Sequence, residues 1–381
     1  MKNEFPIKLC ATTDCTGCEA CRTICPTKSI LMTSAGSVMT ETPEINEDTC
    51  IKCHACERVC PVLHPQDLKQ PDKAIAAIAK DKDINYTSTS GGVAAVISKW
   101  FIENNGVVYG AVSEGRDVFH KRCVLSDDLV LLKGSKYVKS DLRNSYSEVR
   151  DDLNNGKNAV FFGTPCQIAG LKSFLKKDYD NLLTVDLICH GTPSQQLLKR
   201  HIHSIVGDRK ITRIAFRDEG YKMRFYDGDR IIYENNLWKE QFKDAYYSAF
   251  YIACASFRDS CYHCRYASPN RVSDITIGDF WGLDKEVKFS RNPTGISVIL
   301  PVSNKGNKFL TDNIKGALEM FDRPLTEAVT GNAQLRRTST LSRSAKLFRY
   351  LFAKGFSLTA ALRLAYLPFL PIYFIKSIIN K

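Results

Sequence analysis

The reading turns on two stretches, "CTGCEACRTICP" at 15–26 and "CIKCHACERVCP" at 50–61. They place Cys15, Cys18, Cys21 and Cys25-Pro26, then Cys50, Cys53, Cys56 and Cys60-Pro61. Both obey Cys-x2-Cys-x2-Cys-x3-Cys-Pro. With that spacing three thiolates wrap one face of a [4Fe-4S] cube, while the fourth cysteine, carried away by the proline turn, ligates the other cube. The expected sets are therefore Cys15, Cys18, Cys21 with Cys60, and Cys50, Cys53, Cys56 with Cys25. Zinc also takes Cys-x-x-Cys pairs, but it draws four ligands from two spaced pairs rather than from an even run ending in proline. His54 and His64 lie in and just after the second motif, where every cube already has four thiolates, so they read as solvated groups or as neighbours that support the ligands. Two cubes joined in this way carry electrons, and nothing in the array is arranged to bind a substrate.

The rest of the chain sets the context. At 381 residues and 44% apolar content it is long enough for more than one globular domain. The start, "MKNEFPIKL", has no apolar core or cleavage site of a secretory signal, so the 15 cysteines are expected to be reduced in a cytoplasmic setting, as metal ligands or redox groups rather than a disulfide framework. The formal charge of +12 is uneven, because nine Lys or Arg and no acid fall between Arg336 and Lys381. The longest apolar run, 364–375, is interrupted by two prolines and is too short for the roughly 20 residues of a membrane span. No Gly-x-Gly-x-x-Gly after a strand and no P-loop is present, and no nucleic-acid-binding module accompanies the basic charge.

Beyond the linker "PVLHPQDLKQPDK" the pattern becomes α/β. "TSTSGGVAAVISKWFIENNGVVYGAV" predicts a polar turn, a helix over 92–104 and a strand over 107–112, with a helix start able to receive a phosphate. "NAVFFGTPCQIAGLKSFLKK" and "LLTVDLICHGTPS" read as a β-α-β unit from Ala159 to Cys189, helical on Ile168, Leu171 and Leu175. Such a unit puts Cys166 and Cys189 on one carboxyl edge of a sheet, where open α/β proteins bind ligands. "SCYHCRY" then offers Cys261 and Cys264 as the other half of a third four-thiolate site. The alternatives are core cysteines at 166 and 189, a zinc half-site or redox dithiol at 261 and 264, and Cys254 in place of any one of them. Cys10 and Cys123 have no assigned role.

Residues 8–65 resemble the bacterial-type two-cluster ferredoxin domain, which implies two short hairpins and two short helices. "GSKYVKSDL" (134–142), "GTPCQIAGL" (163–171), "CHGTPS" (189–194) and "SCYHCRYASPNRVSDITIGDFWG" (260–282) resemble the coenzyme F420 hydrogenase/dehydrogenase beta-subunit family over about residues 72–335. The resemblance implies FAD, a third [4Fe-4S] cluster on Cys166, Cys189, Cys261 and Cys264, and flavin contacts from Ser90, Gly91, Gly92, Ser135, Lys136 and Tyr137. It also implies electron passage between a deazaflavin-type hydride carrier and iron-sulfur clusters. A flavin suits such a junction, because hydride donors deliver two electrons together while clusters take them singly.

The expected fold class is α+β. It comprises a two-cluster ferredoxin domain (1–66), an α/β flavin and iron-sulfur domain (72–335) and a basic helical tail (336–381). The expected activity is that of an iron-sulfur flavoprotein oxidoreductase, working with a hydride carrier or a redox partner protein. The alternative is an electron-transfer subunit of a larger complex with no substrate site of its own. The tail segment "SAKLFRYLFAKGFSLTAALRLAYL" reads as an amphipathic helix, either packed against the body with a solvated basic face or laid on the inner face of an anionic membrane.

Overall fold

The computed structural model describes residues 6–240, 242–290 and 295–367. Residues 368–381 of the expected tail, with most of the apolar run 364–375, lie outside them.

In the N-terminal lobe, helices α1 (Ala20–Ile24) and α2 (Ala55–Arg58) flank one antiparallel hairpin, β1 (Ile30–Ala35) with β2 (Thr40–Ile45). The expected second hairpin is not formed among the described residues. The chain leaving Cys60 meets Pro61 and Pro65, which have no N–H for a ladder. It pairs instead with the main body, where Lys69 and Arg271 exchange both backbone hydrogen bonds at 2.8 Å.

The main body is built on a mixed sheet of eight strands among the described residues. In chain order these are β3 (Ala74–Ala79), β4 (Val107–Glu114), β5 (Asp117–Cys123), β6 (Ala159–Gly163) and β7 (Leu182–Leu187), then β11 (Ile275–Asp279), β12 (Ser297–Pro301) and β13 (Leu318–Arg323). Across the sheet they run β13-β3-β12-β11-β7-β6-β4-β5. β4, β6, β7 and β11 are mutually parallel, and the outer pairings are antiparallel. A separate antiparallel sheet holds β8 (Arg213–Asp218), β9 (Lys222–Asp227) and β10 (Arg230–Asn236).

The helices that position the site follow from their sequences. Helix α3 (Val93–Glu103) buries Val93, Val96, Ile97 and Phe101, one face at helical spacing. Helix α4 (Ser145–Asn154) packs beside α5 (Pro165–Leu175), which starts with proline and with a capping box between Thr164 and Gln167. The β6-α5-β7 unit stands as expected, with Gly163 paired to Asp186 at its carboxyl edge.

The linker does not hold the lobe apart from the body. Cys18, Ala20 and Val59 share one apolar core with Tyr146, Phe161, Ile168 and Leu171. The closest approach is at Gly170 of α5, where an added Cβ would stand 2.8 Å from the Cys18 Cβ and 2.8 Å from the Tyr146 hydroxyl.

Helix α6 (Gln195–Val206) lies under the smaller sheet, and the tail packs on the same core. The tail forms two helices rather than the single one expected, α7 (Arg343–Ala353) and α8 (Leu358–Tyr366). Gly355 at φ 92° ends the first, and the Ser357 side chain caps the second. Phe348, Ala361 and Leu362 are fully buried, and Arg349 donates to Asp259 and to the Phe257 carbonyl, so residues 343–366 pack on the body. No helix among the described residues is long and apolar enough to cross a membrane.

Candidate redox site

The two N-terminal loops repeat one backbone device. Gly17 and Glu19 in the first, and Lys52 and His54 in the second, take left-handed φ of 62°, 61°, 56° and 57° at matching offsets from Cys15 and Cys50. These turns bring the cysteines together in two small cavities. One is lined by Cys15, Cys18, Cys21 and Cys60, the other by Cys25, Cys50, Cys53 and Cys56. The crossed sets expected from the spacing are the sets the fold assembles. Cys10 also lines the first cavity. Hydrogen bonding from its thiol pulls Cys15 and Cys60 down to about 6, against the opposing effect of burial. Sequence reasoning missed Cys10, because it stands outside the motif and has no spacing signal of its own.

The split set also comes together. Cys166 sits in the first turn of α5, Cys189 just beyond β7, and Cys261 and Cys264 on the short turn around Asp259–His263. Burial and then the neighbouring Cys261, Cys166 and Cys264 raise the Cys189 thiol, and burial with Cys166 and Cys261 pushes Cys264 up to about 12. Cys189, Cys261 and Cys264 resist ionisation first because they are buried and then because thiols of the set are near, and with Cys166 they form a site for a group carrying positive charge. Among the described residues no three Cys, His, Asp or Glu stand close enough to grip a single ion. Thiolates around one zinc are only about 3.8 Å apart, from Zn–S bonds near 2.3 Å. A four-iron cube spreads its ligands wider.

Arg271 holds this site in place. It is buried, and it donates to Asp186 (2.9 Å) and the Leu187 carbonyl (2.9 Å) at the end of β7, and to the Tyr266 carbonyl (2.8 Å) in the loop after Cys264. One side chain therefore ties the Cys261–Cys264 loop to the strand that leads to Cys189. Cys254 has its sulfur 3.4 Å from His190 Nε2 and is not among the groups that raise Cys189, Cys261 and Cys264. Cys123 is buried in the core on another face of the sheet.

A buried cation marks the gap between the lobe and the split set. Lys139 donates to the Cys166 sulfur at 3.4 Å, its only side-chain hydrogen bond among the described residues. Burial disfavours its charge, yet the Cys166 and Cys18 thiolates keep its pKa above the ordinary lysine value. A buried ammonium without a carboxylate is strongly unfavourable unless anions surround it, so its place requires negative charge on both sides. Sequence reasoning singled out Lys136 in the same segment and passed over Lys139.

A cavity of about 480 Å³ opens along the carboxyl edge of the parallel strands, within the range of roughly 300–1,000 Å³ usual for small-molecule sites. Its walls include Gly110 and Ala111 of β4, Phe162 and Gly163 of β6, Leu187 of β7, and Ile277 to Asp279 of β11. The turn into α3 supplies Ser88, Thr89, Ser90 and Gly92 to the wall, and no side chain caps that helix start among the described residues. Ser135 and Lys136 line the opposite wall.

Two of the six expected contacts stand off this wall. Gly91 is packed against β3 and β12, where an added Cβ would meet the Ala77 carbonyl oxygen at 2.1 Å, so its role is close packing. Tyr137 points into an aromatic cluster behind Ser135. The Lys136 ammonium donates to the Leu131, Leu132 and Lys133 carbonyls, has no carboxylate partner among the described residues, and is lowered by burial to about 7. Thr164 lies on the cavity wall and its hydroxyl is 3.2 Å from the Cys166 sulfur, so one turn of chain separates the cavity from the split set.

Two segments of the chain match known families. Residues 14–63 match the 4Fe-4S dicluster domain, and residues 156–323 match the C terminus of the coenzyme F420 hydrogenase/dehydrogenase beta subunit. Residues 156–323 therefore carry the C-terminal domain of that beta subunit, and a 4Fe-4S dicluster domain stands in front of it. No curated protein matches it. Among solved structures it is similar to a chain of the F420-reducing [NiFe] hydrogenase complex from Methanosarcina barkeri, at 15% identity and a TM-score of 0.44, covering 78% of this chain and 91% of that one. In this beta-subunit-like protein Cys166, Cys189, Cys261 and Cys264 all fall inside the matched segment, while the α3 turn and Lys136 precede it.

Proposed function

We propose that this protein is an iron-sulfur flavoprotein oxidoreductase, moving electrons between a hydride carrier, deazaflavin-like or another, an FAD in the 480 Å³ cavity and three [4Fe-4S] clusters. The reading takes residues 1–66 as the relay module, 72–335 as the flavin and third-cluster domain, and 336–381 as the packing arm.

One observation carries the reading. Helix α5 links all three sites: Thr164 and Gln167 at its start line the cavity, Cys166 belongs to the split set, and Gly170 touches Cys18 of the lobe. Cys166 and Gly170 are one helical turn apart, about 6 Å of rise. When bound, a flavin would take a hydride as an electron pair and release it singly to the clusters.

The chain's own residues favour those groups. Free N–H groups at the α3 start and the Ser88–Ser90 hydroxyls suit a phosphate. Lys136 gains charge near neutrality if an anion binds beside it, since burial alone holds its pKa near 7. Lys139 offsets negative charge at Cys166 and Cys18 together. His120, buried and lowered to about 4, stays neutral and bridges the Phe162 carbonyl and Ser140 beneath the cavity.

Anaerobic reconstitution with iron and sulfide, followed by metal and flavin analysis, tests this. About twelve irons, from three four-iron cubes, and one flavin are expected. About eight irons and no flavin would sink the proposal. Titration with candidate hydride donors separates the alternative: if the flavin bleaches only when a partner protein is added, the chain is an electron-transfer subunit without its own substrate site.

The exposed face of the tail suggests a peripheral place at the cytoplasmic face of a membrane. Leu347, Tyr350, Phe356, Leu364 and Leu367 are exposed there among Arg343, Lys346, Lys354 and Arg363. Binding to anionic liposomes should be lost when residues 336–381 are removed, and unchanged binding would refute that placement.

A further inference from the structure

Beside the cavity, and outside its lining, lies a cluster of phenols around one arginine. Arg217 of β8 donates to Asp279 at 2.6 Å, and Asp279 is on the cavity wall. The Tyr137 hydroxyl reaches Ser135, which lines the same cavity. The cluster is thus joined to the cavity wall at two points. Around Arg217 stand Tyr137, Tyr221, Tyr247 and Tyr251, with Tyr221 4.8 Å beneath the guanidinium. Trp238, 45% exposed, closes the outer side at 5.4 Å from Tyr221 and 5.8 Å from Tyr251.

Two features are not explained by folding alone. The Tyr247 hydroxyl is buried and has no hydrogen-bond partner among the described residues, although Tyr137 and Tyr251 pack at 5.9 and 6.1 Å. A phenylalanine would serve the core better there, since an orphaned buried hydroxyl is unfavourable. Arg217 spends one nitrogen on Asp279, and its other nitrogens meet no acceptor among the described residues. Donors left open beside an aromatic face suit an acceptor-rich ligand with a ring.

We infer that the Arg217, Tyr221, Trp238 and Tyr247 cluster is a binding subsite for a ring that bears a carboxylate or a phosphate. The inference rests on the proposed oxidoreductase and deepens it: the subsite takes the anionic ring of the substrate and sets it against the Asp279 wall. The open Arg217 donors meet the acid group, the Tyr247 hydroxyl gains a partner, and the ring packs on Tyr221 and Trp238. Neutral rings such as quinones lack the group that Arg217 would read.

Tryptophan fluorescence of the full chain tests this with benzoate, phenyl phosphate and neutral benzyl alcohol, and Trp238→Phe identifies the responding residue. At least one anionic ring should bind at least about tenfold more tightly than benzyl alcohol, the scale of a charge-assisted hydrogen bond. The carboxylate and phosphate arms tell which acid group is preferred. Arg217→Gln should erase the difference. Because that variant also frees Asp279 and can harm folding, Tyr247→Phe gives a second reading. It should weaken anionic-ring binding about fivefold, one hydrogen bond, while thermal stability holds or rises.

Equal binding of charged and neutral rings overturns the inference, as does a Tyr247→Phe protein that binds as the parent does. The titration needs no flavin, so a chain that holds no flavin but binds anionic rings through Arg217 refutes the oxidoreductase reading and leaves the subsite standing.

Discussion

The eight cysteines of the N-terminal lobe fall between residues 15 and 60 in one repeated step, whereas the split set draws Cys166 and Cys189 from one part of the chain and Cys261 and Cys264 from another. The first arrangement is held by local turns, with Gly17, Glu19, Lys52 and His54 left-handed at equivalent positions. The second has no local geometry of its own. It depends on the β6-α5-β7 crossover and on Arg271, which joins the loop after Cys264 to the end of β7. A site built by spacing should survive damage to the body of the protein, and a site built by packing should not.

The largest expected effect separates the split set from its neighbours. Cys166→Ser should lose about four of twelve irons, one cube, and leave the two N-terminal signals in low-temperature electron paramagnetic resonance. Cys254→Ser should keep every iron, because its sulfur faces His190 and not the four thiols. The reverse result would move the third site and break the comparison.

Next comes Arg271→Met. It strands Asp186, which is fully buried, without its cation. Losing one partner of a buried ion pair is destabilising by about 3–5 kcal/mol. Denaturant melts should show that loss, and iron release on mild chelation should begin at the split set while the N-terminal cubes persist. Release from both sites together would mean that Arg271 supports the whole body rather than this loop.

A smaller effect is expected at the contact between the two sites. Gly170→Ala places a methyl 2.8 Å from the Cys18 Cβ, and overpacking of that kind is destabilising by roughly 1–3 kcal/mol. Electron transfer between the lobe and the split set, followed after rapid photoreduction, should slow while iron content stays the same. An unchanged melt would show that lobe and body do not meet this closely.

Much of this was legible beforehand, for reasons that differ by residue. The crossed cysteine sets follow from covalent spacing, and the β-α-β unit follows from an apolar strand, a Thr-Pro cap and a helical stripe at Ile168, Leu171 and Leu175. Cys10 was not legible, because only the folding of the segment before Cys15 brings it to Cys15 and Cys60. Lys139 was not legible either. Its neighbours are thiols far from it in the chain, and only their approach makes a buried lysine meaningful. Gly91 and Tyr137, which the resemblance implies as flavin contacts, stand off the cavity wall, because a residue one step along a turn or an extended segment faces another way. The tail segment has the composition of an amphipathic helix, but a left-handed Gly355 followed by the capping Ser357 divides it into two.

The sequence by itself determined the two N-terminal four-cysteine sets, the mixed α and β character and the families that its two matched segments resemble, because each is carried by spacing, periodicity or motif. The tertiary structure alone decided that Cys166, Cys189, Cys261 and Cys264 meet, that Cys254 does not join them, and that a cavity lies one turn away. Those facts depend on which strands become neighbours and which buried charge ties the loops, and chain order does not encode either. The phenol cluster around Arg217 belongs to the same class, since its members come from four separate segments and acquire a shared chemistry only once packed.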